Sequence, residues 1–175
     1  MRRKSQGRGL FGAGANRICA VVAAPIARGM ARQMRLALRE TRTVELRLDW
    51  LRGSAAREEF LKWLRRARPN ATFLATCRRT AGGGRFAGPV AAQLQMLAEA
   101  VRSGCEWCDI EIQSVQTVGM ESVRHALAPA RVLVSFHDFR RTPDSLAPLL
   151  HTARKFSGAC VKIATQAVTT ADSLR

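Results

Sequence analysis

The sequence predicts an α/β fold with a parallel sheet, either doubly wound or a (β/α)8 TIM barrel. Three observations carry this. Short β-like runs recur roughly every 25–30 residues. A helix-like stretch separates each run from the next, as crossover connections require. Charged residues also recur on runs that should be apolar on both faces in a parallel sheet.

In chain order the strand-like runs are "ICAVVAA" (18–24), "TVELRLDWL" (43–51), "ATFLATCR" (71–78), "WCDIEI" (107–112), "RVLVSFHDF" (131–139) and "ACVKIAT" (159–165). Helices are expected over 26–40, 55–67, 88–103, 116–128 and 143–157. Ser54 precedes "AAREEFLKWLRRA", which places Phe60, Leu61 and Leu64 on one face, and it is the expected N-cap there. Thr142-Pro143-Asp144 combines a second N-cap candidate with Pro in the first turn. Gly104 and Gly158 follow two of the helices, as C-terminal stops do. The basic, Gly-rich stretch 1–17 reads as a disordered extension ahead of the first strand.

A net charge of +16 invites a nucleic-acid reading. The positive charge is scattered, however, with no zinc-finger spacing, no aromatic-rich RNA-binding motif and no basic region with heptads. No apolar run approaches the ~20 residues of a membrane span. Cys105-Glu-Trp-Cys108 is formally a CxxC, but it lacks a second pair or nearby His partners for zinc, and it precedes a strand rather than opening a helix. Neither a zinc nor a redox role is expected for this pair. The five scattered Cys suit a reducing cytoplasm. No GxGxxG follows the first strand. The Gly-rich "AGGGRFAG" (81–88) lacks a Walker lysine.

In a barrel, function collects at the C-terminal ends of the strands. The second strand carries Glu45, Arg47 and Asp49, the third ends in Arg78, and the fourth carries Asp109 and Glu111. The fifth ends in His137-Asp138, and the sixth carries Lys162. Lys162 stands out because the chain has 25 Arg and only four Lys. A lysine flanked by Val161 and Ile163, desolvated and near the cationic Arg47 and Arg78, loses its proton readily and can attack a ketone. Only Lys, never Arg, can become that nucleophile. His137 suits proton transfer near neutral pH. Two arginines suit a substrate carboxylate.

"ELRLD" (45–49), "ATCR" (75–78), "CDIE" (108–111), "SFHDF" with "TP" (135–143) and "VKIAT" (161–165), in this order and spacing, resemble type I 3-dehydroquinate dehydratase across about 18–175. The resemblance implies a TIM barrel and a homodimer when full length. It implies dehydration of 3-dehydroquinate to 3-dehydroshikimate in the shikimate pathway through a lysine imine, without metal or cofactor. By motif, Lys162 forms the imine and His137 shuttles protons. Glu45 and Arg47 hold substrate hydroxyls, and Arg78 contacts the substrate. A class I aldolase-type barrel and a basic nucleic-acid-binding protein are the alternatives. The "SFHDF" and "ELRLD" motifs speak against the aldolase.

The sequence departs from the family pattern in three ways. Gly82 stands where many members have a glutamate that supports the histidine. The first strand offers no serine. The chain stops at Arg175, so about six of eight β-α units are expected, as a C-terminally truncated domain over 18–175. On its own such a chain is expected not to be a well-folded catalyst, because the open edges of its sheet leave interior side chains in water.

Overall fold

The computed structural model describes residues 18–156 and 159–174. Stretch 1–17, expected to be an extension, and Gly158, expected to stop a helix, lie outside the described residues. Six strands form one sheet in the order β1-β2-β3-β4-β5-β6, and every neighbouring pair is parallel. They are β1 (Ala20–Val22), β2 (Thr43–Arg47), β3 (Thr72–Thr76), β4 (Trp107–Glu111), β5 (Arg131–Asp138) and β6 (Cys160–Thr165). The sheet curls into a partial TIM barrel with helices on its outer face. The helices are α1 (Ala27–Glu40), α2 (Gly53–Ala67), α3 (Val90–Arg102), α4 (Ile112–Val118), α5 (Met120–Leu127), α6 (Ala147–Arg154) and α7 (Thr170–Ser173).

Alternation along the strands sorts side chains between two cores. Val44, Leu46, Phe73, Ala75, Cys108, Ile110, Val132 and Val134 face outward and join Met30, Met34, Phe60, Leu64 and Leu97 from the helices in one large buried cluster. The opposite face carries a small separate cluster of Leu74, Trp107 and Leu133. This cluster forms an apolar floor inside the curl, where the Arg131 guanidinium lies 4.3 Å from the centre of the Trp107 ring. Above the floor, toward the C-terminal strand ends, the inward positions turn polar.

Local structure differs from expectation in four places. The second strand ends at Arg47, and Leu48–Trp50 form a 3-10 turn, so Asp49 leaves the face it was expected to share with Glu45. Helix α2 starts at Gly53, so Ser54 falls inside the helix and does not cap it. The stretch expected as one helix over 116–128 is two helices, broken at Gly119 with φ +82°. Thr142 does not cap a helix. Its hydroxyl meets Thr165 Oγ1 at 3.0 Å and the Gln166 carbonyl at 3.1 Å, tying the β5–α6 loop to the end of β6. Gly104 does follow α3, with φ +107° and its N–H on the Val101 carbonyl.

Candidate active site

Each strand from β2 to β6 places polar side chains at the mouth of the curl. The short parallel register sets their neighbours: Arg47 stands beside Thr76, Thr76 beside Asp109, Glu111 beside Ser135, and Ser135 beside Lys162. The side chains meet because each sits on the inward face at the C-terminal end of its strand.

At the centre is Asp109, fully buried. Its Oδ2 accepts from Arg78 at 2.6 Å and its Oδ1 accepts from the Ser135 hydroxyl at 2.5 Å. The other terminal nitrogen of Arg78 donates to Ser135 Oγ at 2.7 Å and lies 3.5 Å from Glu111. A buried charge needs a partner and satisfied hydrogen bonds, and this trio supplies both. Lys162 approaches from the β6 side, with Nζ 3.7 Å from Glu45 Oε2 and 3.7 Å from Asp109 Oδ2. Its nearest charges are therefore carboxylates, not the arginines expected to surround it. Its side chain is 37% exposed, so the expected desolvation is partial.

Arg47 is bound by the 3-10 turn that follows it. Its Nε and terminal nitrogen donate to the two oxygens of Asp49 at 2.9 and 2.8 Å. Burial, the largest single influence, works against the Arg47 charge, but the Asp49 bond together with the negative charges of Asp49, Glu45 and Asp109 raises the Arg47 pKa. Asp49 also accepts from the Arg85 N–H at 3.1 Å, and the Arg85 guanidinium stacks 3.5 Å over the Trp50 ring. The turn after β2 is thereby fastened to the Gly-rich loop after β3.

That loop is glycine-rich for steric reasons. A Cβ at Gly84 would stand 2.0 Å from the Arg78 carbonyl oxygen, and one at Gly83 (φ +76°) would stand 2.6 Å from the Phe139 ring. At Gly82 a Cβ would meet Arg78 Cδ at 3.1 Å and Glu111 Oε1 at 3.4 Å. The loop folds back on β3 through Phe86 N–H on the Arg78 carbonyl and Thr80 N–H on the Phe86 carbonyl.

His137 ends β5 over this loop, its ring 5.8 Å from that of Phe139. Its Nδ1 is buried and has no hydrogen-bond partner among the described residues. Burial, and then the positive charge of Arg78, lower its pKa to about 4. It is a neutral imidazole at pH 7.

Glu45, Arg47, Arg78, His137 and Lys162 thus all lie around one mouth. Three further groups were not singled out from sequence. Ser135 lies two residues before His137, hence on the same face of β5, and that spacing was the available signal. Cys19 lies near Glu45 and Lys162, and burial, then Glu45, push its thiol pKa up. Gln93 is a fully buried amide in the middle of the apolar face of α3. Cys105 and Cys108 are free thiols in the core, and burial pushes Cys108 up to about 12. Among the described residues no group of three His, Cys, Asp or Glu is placed to hold a metal ion, and no helix is long and apolar enough to cross a membrane.

The chain is similar in sequence and in fold to known proteins. The 3-dehydroquinate dehydratase of Syntrophobacter fumaroxidans is 38% identical over 138 residues, which cover 75% of this chain and 57% of that protein. The corresponding enzyme of Dehalococcoides mccartyi is 35% identical over 105 residues, covering 58% of this chain and 46% of that one. The chain therefore spans about half the length of the curated relatives it matches. In fold it is similar to the crystal structure of 3-dehydroquinate dehydratase from Geobacillus kaustophilus, with a TM-score of 0.76 at 22% identity over 89% of this chain and 64% of that one. The sequence model of the type I 3-dehydroquinase family matches residues 18–175. With nearly the whole described chain inside that match, this protein belongs to the type I 3-dehydroquinase family.

Proposed function

We propose that the mouth of this partial barrel is the site at which 3-dehydroquinate is dehydrated to 3-dehydroshikimate through an imine on Lys162. The observation that carries the reading is the placement of Lys162. Among the described residues it is the only lysine on a strand, and its Nζ points into a ring of carboxylates beside a neutral histidine. A neutral amine is the nucleophile, so the ammonium must first give up a proton. The Glu45 and Asp109 carboxylates at 3.7 Å are the acceptors in reach. The amine adds to the substrate ketone, and loss of water from the carbinolamine leaves an iminium. That cation is an electron sink, so the adjacent carbon gives up a proton. The electron pair forms the new double bond, and the neighbouring hydroxyl leaves as water. Hydrolysis of the imine frees the product and restores the lysine. His137, neutral at pH 7 and held at the mouth, takes and returns the protons.

Glu45, Arg47 and Arg78 are the substrate-binding residues in this reading. Arg47 and Arg78 each already hold a carboxylate, Asp49 and Asp109, so they meet the substrate as fixed donors rather than as free clamps. The family resemblance supports a shikimate-pathway lyase in the cytoplasm and a homodimer in the full-length enzyme. Residues 18–175, the span of the family match, are the barrel unit in this reading. The partner is the small-molecule substrate rather than a nucleic acid.

Reductive trapping tests the assignment. It needs a single round of imine formation, so it reads the site even where turnover is slow. Incubation with 3-dehydroquinate and borohydride is expected to leave one adduct, located on Lys162 by peptide mass spectrometry and absent from Lys162→Ala. Labelling of Lys155 instead, or no adduct, overturns the proposal.

A further inference from the structure

Behind the charged mouth lies a second polar cluster that the proposed chemistry does not use. Gln93 occupies the apolar face of α3 between Leu94, Met96, Leu97 and Ala100, where a hydrophobic side chain is the rule. It is wholly buried, and all of its polar atoms are engaged. Its Nε2 donates to Glu111 Oε2 at 2.6 Å and to the Cys77 carbonyl at 2.9 Å, and its Oε1 accepts from the Ser114 hydroxyl at 2.8 Å. The amide has one sense only. A carboxylate and a carbonyl can only accept, so a flipped amide would set oxygen against both.

The cluster reaches the mouth through Glu111. With Oε2 taken by Gln93, the other carboxylate oxygen accepts from the Arg79 N–H at 2.8 Å and lies 3.5 Å from Arg78. Gln93 therefore grips the end of β3 at two points, the Cys77 carbonyl directly and the Arg79 amide through Glu111. Arg78, the residue between them, carries its guanidinium into the mouth. Without the amide, buried Glu111 would lose one of its donors. Its remaining charge would then compete for the Arg78 nitrogen that now donates to Ser135.

We propose that Gln93 is a positioning residue for substrate binding, acting through Glu111 to fix the Arg78–Arg79 segment. The role rests on the proposed dehydratase function, since Arg78 is a substrate contact only in that reading. A residue acting on a binding arginine alters KM more than kcat.

The test has two readouts. Gln93→Leu, close in volume, is expected to lower hydrogen-exchange protection of the Arg79 amide at least tenfold while amides of β3 and β4 keep theirs. It is also expected to raise KM for 3-dehydroquinate about tenfold with kcat within threefold. In a Glu111→Gln background the same substitution is expected to change KM by less than threefold, because the path it acts through has already been altered. If Gln93→Leu does not fold, Ser114→Ala removes only the donor to Gln93 Oε1 and is expected to shift both readouts the same way, by about threefold. An unchanged Arg79 amide in the folded variant, a loss confined to kcat, or a full tenfold effect on top of Glu111→Gln overturns the inference. A wild-type chain that traps no substrate on Lys162 sinks the dehydratase reading instead. The exchange measurement then decides alone whether Gln93 holds the turn.

Discussion

On the β3–β5 side of the mouth, Arg78, Asp109 and Ser135 are buried and joined by hydrogen bonds of 2.5–2.7 Å. On the β6 side, Lys162 is more than a third exposed and comes no closer than 3.7 Å to the carboxylates it faces. Both sides belong to the same sheet and the same inward face. The difference lies in what stands next to each strand. β3 and β4 have a strand on either side and long helices behind them, and every residue of β4 is buried. β6 pairs with β5 alone among the described residues, and none of its residues is buried. Burial raises the electrostatic cost of leaving any group unpaired, so the inner side saturates its hydrogen bonds and becomes a fixed scaffold. The outer side keeps its amine loosely held and reachable.

Removing the centre of the inner side should have the largest effect. Asp109→Leu breaks the 2.6 Å ion pair of buried Arg78 and leaves it the longer Glu111 contact at 3.5 Å. Removing one partner of a buried pair costs about 3–5 kcal/mol, and the remaining Glu111 contact puts the expected loss at the low end of that range. Urea denaturation should show that loss, a large part of the roughly 5–15 kcal/mol that holds a domain together. Glu99→Ala, which removes the peripheral Arg57–Glu99 contact at 4.0 Å, should cost less than about 1 kcal/mol. Equal costs for the two would erase the distinction between scaffold and edge.

His137 stands where the two sides meet. In a chain that spans the whole family barrel, His137→Ala is expected to lower kcat by roughly 10²-fold, as loss of a proton shuttle does. An unchanged kcat would make it a structural residue of the inner side. Its pKa of about 4 also sets a pH window. Between about pH 6.5 and 4 the unfolded histidine binds a proton that the folded one does not. Its contribution to stability is thus complete above about 6.5 and is lost as pH falls toward 4. The loss should be on the order of 1–2 kcal/mol once solvent screening of this half-buried group is allowed for. The same drop persisting in His137→Ala would assign it to other groups. The acid limb of activity should centre near pH 4 rather than 6.5.

The smallest expected effect sharpens the comparison most. Gly82→Glu supplies the carboxylate that the family resemblance places near the histidine, and Arg78 Cδ, 3.1 Å from the new Cβ, must shift by a few tenths of an ångström to admit it. A nearby carboxylate favours imidazolium, so the His137 pKa should rise from about 4, by one unit or more in a proton NMR titration. Glu111, whose Oε1 lies 3.4 Å from the new Cβ, opposes this by like-charge repulsion. A pKa left near 4 would show that the inner side excludes a second acid.

Much of the fold was legible in the chain because strand and helix periodicities are local. The β-α alternation, the inward charges of β2 to β6 and the oddity of one strand lysine among so many arginines all stand in the sequence. So does the glycine stop at Gly104. The single helix expected over 116–128 shows the limit of that reading. Gly119 is one residue inside an otherwise helical pattern, and only its left-handed backbone turns one helix into two. Asp49 looked like a third charge on the face of β2 until the strand stopped at Arg47 and the chain turned.

What the sequence determined by itself is the set of groups at the mouth, since inward or outward placement follows from alternation along each strand. Which group holds which was decided by tertiary structure alone. Spacing suggested arginines around a lysine, but the register of five strands put carboxylates there and bound Arg78 to Asp109. Those pairings depend on distances of 2.5–3.7 Å between residues as far apart in the chain as Glu45 and Lys162. Gln93 is the plainest case. As a residue it is a polar interruption of a helix, and only the packing of α3 against the ends of β3 and β4 gives each of its three hydrogen bonds a partner.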